Sequence, residues 1–173
     1  MTAQGEHVRA TDAELTTFAN DVHGYLRQNI SWADQKAAFL FAAVSAFIAF
    51  LHTKQALGVW RKGQMFAWQD GTGLLAGICL LSAAGCVFVA VWPSRKGKST
   101  GLVFWGSIAG KPSAGAYVDD VKPLSGSELA EEKLRHSYEL AGIAARKFQW
   151  VDWAMRSAIV GFVVAIARFI IWP

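Results

Sequence analysis

The chain has 173 residues, a length that suits one compact unit, and a net charge of +4. Hydrophobic residues make up 53% of it and charged residues 17%, below the roughly one quarter that is usual in soluble domains. The apolar residues are concentrated in three blocks. This composition argues against an ordinary soluble domain and indicates an integral membrane protein.

Residues 1–36 are predicted to form a cytoplasmic amphipathic helix. Thr11 is the expected N-cap, with Asp12 and Glu14 in the first turn. Apolar side chains then follow helical spacing, at Leu15, Phe18, Val22, Tyr25, Leu26 and Ile30. No proline precedes the first apolar block, so we expect one unbroken helix into the membrane. The charges spread over residues 1–29 predict a retained anchor and not a cleaved signal peptide.

Three segments are apolar enough to cross a bilayer core about 30 Å thick, which requires roughly 20 helical residues. The first is 37–51, extended in effect to 30–51. The second is 71–92, which contains no charged residue and no histidine. The third is 154–172, where Arg168 either snorkels to the interface or lines a pore.

The distribution of positive charge predicts the topology. Ten of the 17 Lys and Arg residues lie in residues 93–156, and three lie in the loop 52–70. Lys and Arg near the ends of spans stay on the cytoplasmic side of the membrane. We therefore expect residues 93–153 and the N-terminus in the cytoplasm. The loop 52–70 is then external, and the C-terminus is periplasmic.

The cytoplasmic segment, 93–153, is predicted to combine an insert with a long helix. Ser125-x-x-Glu128 is a capping-box pattern. Apolar side chains follow it at Ala130, Leu134, Tyr138, Ala141, Ala145 and Phe148. We expect this face to pack on the N-terminal helix. The earlier apolar patch, 101–108, is predicted to be a short strand, a hairpin or a loop, and residues 109–116 a flexible loop.

These elements define the predicted fold class, an all-α membrane protein with three transmembrane helices. The first and third helices continue into a cytoplasmic helical stalk, and the insert is irregular or β-like. Small residues that allow close helix packing line the second and third spans, at Gly73, Gly77, Gly85, Ala158, Gly161 and Ala165. This packing lies either within one subunit or between the subunits of a homo-oligomer.

The sequence offers no pattern for catalysis or metal binding. The four histidines are scattered, and no Ser/His/Asp set or metal-ligand spacing occurs. We therefore expect no enzyme activity, no catalytic residue, no metal and no cofactor. Three spans without an inverted repeat also argue against a transporter.

Three sequence motifs resemble a known family. They are Tyr25–Arg27 with Trp32–Ala37, then Phe104–Ala109 with the form F-x-G-x-I, and finally Tyr138–Lys147 before the last span. In this order, over about residues 20–170, they are similar to the transmembrane effectors of Pycsar, a bacterial anti-phage system.

The resemblance implies a signalling function at the bacterial inner membrane. In that family a companion pyrimidine cyclase answers infection by making a cyclic nucleotide, cyclic CMP or cyclic UMP. The effector senses this ligand and impairs the membrane, which causes abortive infection. The implied partners are the nucleotide, membrane lipid and further copies of the chain, and nucleic acid is not among them. The alternative is a passive membrane adaptor that anchors a cytoplasmic partner.

Charged and aromatic residues expected near the inner membrane face form the candidate site. Asp34 is predicted to pair with Arg146 or Lys147 as a structural ion pair. Alternatively, cations neutralise the phosphate of the nucleotide and aromatic rings stack on its base. The candidate ligand-binding residues are Arg27, Trp32, Lys36, Phe104, Tyr138, Arg146 and Lys147. An ion pair that ligand binding breaks would form a two-state switch.

Overall fold

The structure is a computed structural model, and it describes residues 10–54, 56, 68–93 and 101–171. Over these residues the chain forms five helices and no β-strand. The helices are α1 (Asp12–Thr53), α2 (Trp68–Val91), α3 (Trp105–Ala109), α4 (Ala114–Val121) and α5 (Gly126–Ile171). Three of them, α1, α2 and α5, are long and apolar enough to cross a membrane. The predicted fold class, an all-α membrane protein with three spans, is confirmed.

The two longest helices, α1 and α5, each begin at a capping box. Glu14 Oε2 accepts from the Thr11 backbone N–H at 2.7 Å, and Thr11 Oγ1 accepts from the Glu14 N–H at 3.3 Å. Ser125 and Glu128 repeat both hydrogen bonds, at 2.7 Å and 3.3 Å. The bond from the backbone N–H lowers the pKa of both glutamates, and the neighbouring hydroxyl lowers it further. Both predicted helix starts are confirmed, because each box satisfies N–H groups that a helix terminus leaves unpaired.

The described part of the insert is helical, which differs from the irregular or β-like segment expected from the sequence. Ser113 caps α4 by accepting from the Ala116 N–H at 3.1 Å. The Tyr117 hydroxyl donates to the Leu102 carbonyl at 3.0 Å. A cap and a bond that joins residues 15 positions apart therefore order a segment whose glycines and serines predicted a loop.

The chain divides into two compact units. The polar unit comprises residues 1–29 and 94–143, and the membrane unit comprises residues 30–93 and 144–173. Helices α1 and α5 contribute residues to both units. Helix α2 belongs to the membrane unit, and α3 and α4 belong to the polar unit.

Small side chains dominate the interior of the membrane unit. Its buried positions include Ala37, Ala76, Ala83, Ala90, Ala154, Ala158 and Ala165, with Val44, Leu51, Leu80, Val87 and Val151. Large apolar side chains face outward, where Phe39 is 78% exposed and Leu81 is 63% exposed. A soluble protein rarely exposes such large contiguous apolar surfaces, whereas lipid covers them on a membrane span.

The six small residues expected to mediate packing are divided between the interior and the surface. Four of them are buried, namely Gly73, Ala158, Gly161 and Ala165. Gly77 is half-buried and Gly85 is exposed, with no atom within 4 Å of a Cβ added there. Gly85 does not share the face of Gly77, because eight residues of helix rotate it by about 80°.

Leucine substitutions at two glycines test this packing. A Cβ at Gly161 would lie 2.8 Å from Leu80 Cγ and 3.3 Å from the Ala76 carbonyl oxygen. We expect Gly161→Leu to lower the unfolding midpoint in detergent, because overpacking costs about 1–3 kcal/mol or more. Gly85→Leu is the matched control, since it gains the same helix propensity at an open position. Equal midpoints for the two variants would contradict the close approach of α2 and α5.

Candidate ligand-binding cavity

Gly106 leaves room for the ring of Phe104, which precedes α3. A Cβ added to Gly106 would come within 2.5 Å of Phe104 Cε1, so the ring occupies space that any other residue would fill. The centroid of the ring lies 5.5 Å from that of Trp105 and 6.3 Å from that of His136 on α5. The Phe-x-Gly pattern therefore allows an aromatic ring to lie beside α5.

An open cavity of about 460 Å³ lies in the polar unit, between the insert and α5. The insert contributes Gly101, Val103 and Phe104 to its wall. Helix α5 contributes Glu132, Arg135, His136, Tyr138 and Glu139. The volume lies in the range of small-molecule sites, which combine apolar walls with a few polar groups. The two aromatic residues are Phe104 and Tyr138, and Tyr138 is 83% exposed.

The charged side chains on the cavity wall differ in how well they are paired. Arg135 donates to Glu131 Oε1 at 2.6 Å and lies 3.8 Å from Glu132 Oε1. The hydrogen bond to Glu131 raises the pKa of Arg135, and the charges of both glutamates add to this. Glu139 Oε2 lies 3.9 Å from His136 Nδ1, beyond hydrogen-bond distance. Glu132 and Glu139 are therefore held by these longer contacts with Arg135 and His136, whereas Glu131 is held by a hydrogen bond.

His136 also contacts α1, through His23. The two ring centroids are 5.6 Å apart, and Nδ1 of each ring is buried without a hydrogen-bond partner among the described residues. Burial lowers the pKa of His23, and the charges of Lys133, His136 and Arg27 lower it further. Lys133 Nζ donates to Asn20 Oδ1 at 2.5 Å between the same two helices. One imidazole, that of His136, thus belongs both to the cavity wall and to the contact between α1 and α5.

The membrane unit contains the ion pair between α1 and α5. Lys147 Nζ lies 2.5 Å from Asp34 Oδ1, and the Lys147 side chain is only 16% exposed. Lys147 is thus the cation that reaches Asp34, whereas Arg146 is exposed and forms no ion pair with any described residue. Lys36 Nζ lies 5.7 Å from the centroid of the Phe148 ring, within cation–π distance.

The seven candidate ligand-binding residues are divided between the two units. The polar unit contains Arg27, Phe104 and Tyr138. The membrane unit contains Trp32, Lys36, Arg146 and Lys147. Of the seven, the cavity brings together Phe104 and Tyr138. A single site formed by all seven residues stays a prediction.

Sequence reasoning missed the polar wall of the cavity. Its members, Glu132, Arg135, His136 and Glu139, follow the spacing that places residues on one face of a helix. The same spacing is typical of a solvated helix face, so it does not by itself indicate a site. In the part of the chain that the structure describes, no group of three or more His, Cys, Asp and Glu side chains is arranged to hold a metal ion.

The fold and the cavity define an α-helical membrane protein with three candidate spans and a polar unit that contains an open cavity. The chain matches the family model of the Pycsar effector protein domain, PycTM, over residues 18–172. It therefore belongs to the Pycsar effector family, whose members are membrane proteins of anti-phage defence linked to a cyclic pyrimidine cyclase system. The family resemblance inferred from the three motifs is confirmed. Comparisons with curated proteins and with solved structures found no match.

Methionine at Lys147 tests the ion pair of the membrane unit. Lys147→Met keeps an unbranched side chain but leaves the Asp34 carboxylate without its cation. We expect the free energy of unfolding in detergent to fall by about 1–3 kcal/mol, between the values for exposed and buried pairs. Arg146→Met, at the exposed neighbour, should leave it nearly unchanged. If the two variants have the same free energy of unfolding, Lys147 contributes no more to stability than an exposed cation does.

The contact between His23 and His136 predicts a dependence of stability on pH. Because the folded-state pKa of His23 lies below its ordinary value, the unfolded chain binds the proton first as pH falls. Stability should therefore decrease below about pH 6.5 and level off once pH passes the lowered pKa of the folded state. His23→Gln should make the melting temperature depend less on pH between about pH 7.5 and about pH 5, the range that brackets the transition. His52→Gln, at an exposed position, is the control and should retain the wild-type slope.

Proposed function

We propose that this protein is the membrane effector of a Pycsar anti-phage system and is activated by cyclic CMP or cyclic UMP. Activation impairs the inner membrane, and the infected cell dies before phage are released. The observation that supports this most strongly is the match to the Pycsar effector family over residues 18–172, which spans both units. The action needs no catalysis by the chain, and the family is not a known enzyme family.

The cavity of the polar unit is the ligand site in this proposal. Phe104, for which Gly106 leaves room, offers a ring on which a pyrimidine stacks, and such stacking contributes about 1–3 kcal/mol. Tyr138 covers the other face of the base, or the ribose. Arg135 meets the cyclic phosphate, since its hydrogen-bond partner Glu131 is exposed and exposed pairs contribute about 0–1 kcal/mol.

The signal is proposed to pass through His136. This ring lines the cavity and contacts His23 on α1, and neither buried Nδ1 has a hydrogen-bond partner among the described residues. A ligand shifts a conformational equilibrium only by its difference in affinity for the two states. A ligand that contacts the His136 ring displaces it and so changes its contact with His23. Helices α1 and α5 both include candidate membrane spans, so a change in their contact is the proposed input to the membrane unit.

The location and assembly complete the proposal. The protein lies in the bacterial inner membrane, with its N-terminus cytoplasmic and its C-terminus periplasmic, because ten of the 17 Lys and Arg residues lie in residues 93–156. A cyclase of the same system supplies the nucleotide. Further copies of the chain associate in the active state, and the exposed Gly85 offers room for close helix approach.

Ion leakage from liposomes tests the proposed function directly. Purified full-length protein is reconstituted in liposomes that hold a membrane potential and a potential-sensitive dye. We expect saturating cyclic CMP or cyclic UMP to dissipate the potential, because ligand binding shifts the protein to its membrane-impairing state. Cyclic AMP and protein-free liposomes are the controls.

A stable potential with both pyrimidine nucleotides would overturn the proposal and favour the passive adaptor. Crosslinking of the same samples tests assembly separately. Larger species should appear only with the activating nucleotide, and a monomer in both conditions would remove self-association from the mechanism.

A further inference from the structure

We propose that the contact between α1 and α5 in the polar unit is a proton-sensitive switch, which opens when His23 and His136 are protonated. The opening is local, because the membrane unit keeps its packing while the polar unit releases this contact. The proton acts without any nucleotide, so the inference goes beyond the proposed function and does not depend on it. The feature that carries it is the pair of imidazoles, whose ring centroids lie 5.6 Å apart and whose Nδ1 atoms are both buried without a hydrogen-bond partner among the described residues.

The polar unit has little apolar burial to hold this contact closed. Within the described ranges, its buried residues are all small, namely Ala19, Ser107, Ala130 and Ser137. The membrane unit, in contrast, buries larger side chains such as Leu51 and Leu80. Regions with few buried apolar contacts open at a low cost in free energy. A change of charge at the two imidazoles can therefore shift the equilibrium of the polar unit.

The surroundings of His23 oppose its protonation while the contact is closed. Burial lowers the pKa of His23, and the positive charges of Lys133, His136 and Arg27 lower it further. Opening exposes the ring to water and moves it away from Lys133 and His136, which lie on the other helix. The open state therefore binds a proton at a higher pH than the closed state does. By linkage, a fall in pH then favours the open state.

His136 has a carboxylate beside it that can pair with its protonated form. Glu139 Oε2 lies 3.9 Å from His136 Nδ1, which is too long for a hydrogen bond. A protonated imidazole donates from both nitrogens, and its bonds to carboxylates are about 2.7–2.9 Å long. His136 and Glu139 must therefore approach each other by about 1 Å to form this bond, which disturbs the ring contact with His23. The bond also retains a positive charge next to His23.

The other groups around His136 keep their charge in the relevant pH range. Glu132 and Arg135 share the cavity wall with it and lie 3.8 Å apart. The insert side of the wall consists of uncharged residues, Gly101, Val103 and Phe104. Carboxylates ordinarily titrate near about pH 4 and arginine above about pH 12, whereas histidine titrates near about pH 6.5. The two imidazoles are thus the groups whose charge changes as the pH falls from neutral.

Distances between spin labels on full-length protein in detergent test the switch. Cys79 and Cys86 are replaced by alanine, and labels are attached through Gln28→Cys on α1 and Gly142→Cys on α5, both exposed positions of the polar unit. We expect one short distance at about pH 7.5 and a longer second population at about pH 5.5, on either side of the ordinary histidine pKa. The longer population should grow about threefold or more, since each pKa unit that opening restores changes the equilibrium about tenfold.

A second pair of labels shows whether the opening is local. Ser45→Cys and Ile159→Cys are exposed positions on α1 and α5 in the membrane unit. Their distance should be the same at both pH values.

Substitutions identify the groups that respond to the proton. His23→Gln should weaken the response, and His23→Gln combined with His136→Gln should abolish it, because glutamine does not titrate. Glu139→Gln should move the response to lower pH, since it removes the carboxylate that favours protonated His136. His52→Gln, at an exposed position of the membrane unit, should leave the response unchanged. A shift of the pH profile is not expected from histidines that serve only as packing groups.

Three results would overturn the switch. The first is an unchanged distance in the polar unit of wild type at both pH values. The second is a response that persists in the double glutamine variant, because other groups would then carry it. The third is separation of both pairs of labels together, because the whole protein would then unfold at low pH. These samples contain no nucleotide, so none of the three results decides the liposome test of the proposed function.

Discussion

The membrane unit depends on the absence of a side chain at Gly161. A Cβ there would lie 2.8 Å from Leu80 Cγ, so α2 and α5 approach at a distance that only glycine permits. Lipid tails are as apolar as leucine, and spans therefore associate through van der Waals packing and not through a hydrophobic difference. Small residues around Gly161, such as Ala158 and Ala165, extend this approach. On the α1 side, larger groups fill the space, and the Phe47 ring meets that of Phe162 edge-on at 4.8 Å.

A second glycine has the corresponding role in the polar unit. Gly106 leaves room for the Phe104 ring, and this ring borders the cavity beside His136. The F-x-G-x-I pattern of the sequence thus has a physical explanation, in which the glycine positions the aromatic residue two places before it. A ring fixed before a ligand arrives loses less conformational entropy on binding, which favours affinity.

The parts of the structure with a strong local signal could be predicted from the sequence. The uncharged segment 71–92 and the capping boxes at Thr11 and Ser125 are examples, because length, hydropathy and a three-residue spacing determine them. The insert was less predictable, since Ser113 and Tyr117 order it through bonds that a glycine-rich pattern does not indicate. The rotation of Gly85 out of the packing face follows from helix geometry, yet a count of small residues does not reveal it.

The candidate site was predicted in part, and the reason lies in how charges are used. The Asp34 carboxylate predicts a cation beside it, and Lys147 Nζ lies 2.5 Å from Asp34 Oδ1. Lys147 is 16% exposed and already paired. If it bound a phosphate instead, the Asp34 carboxylate would lose its cation, and this loss costs free energy. For Arg135 the cost of exchanging its partner is small. Its pair with Glu131 is exposed, so exchange of that partner for a phosphate costs about 1 kcal/mol or less. In the proposed function, the free energy of partner exchange therefore favours Arg135 over Lys147 as the group that meets the phosphate, although in the sequence both are cations on one helix.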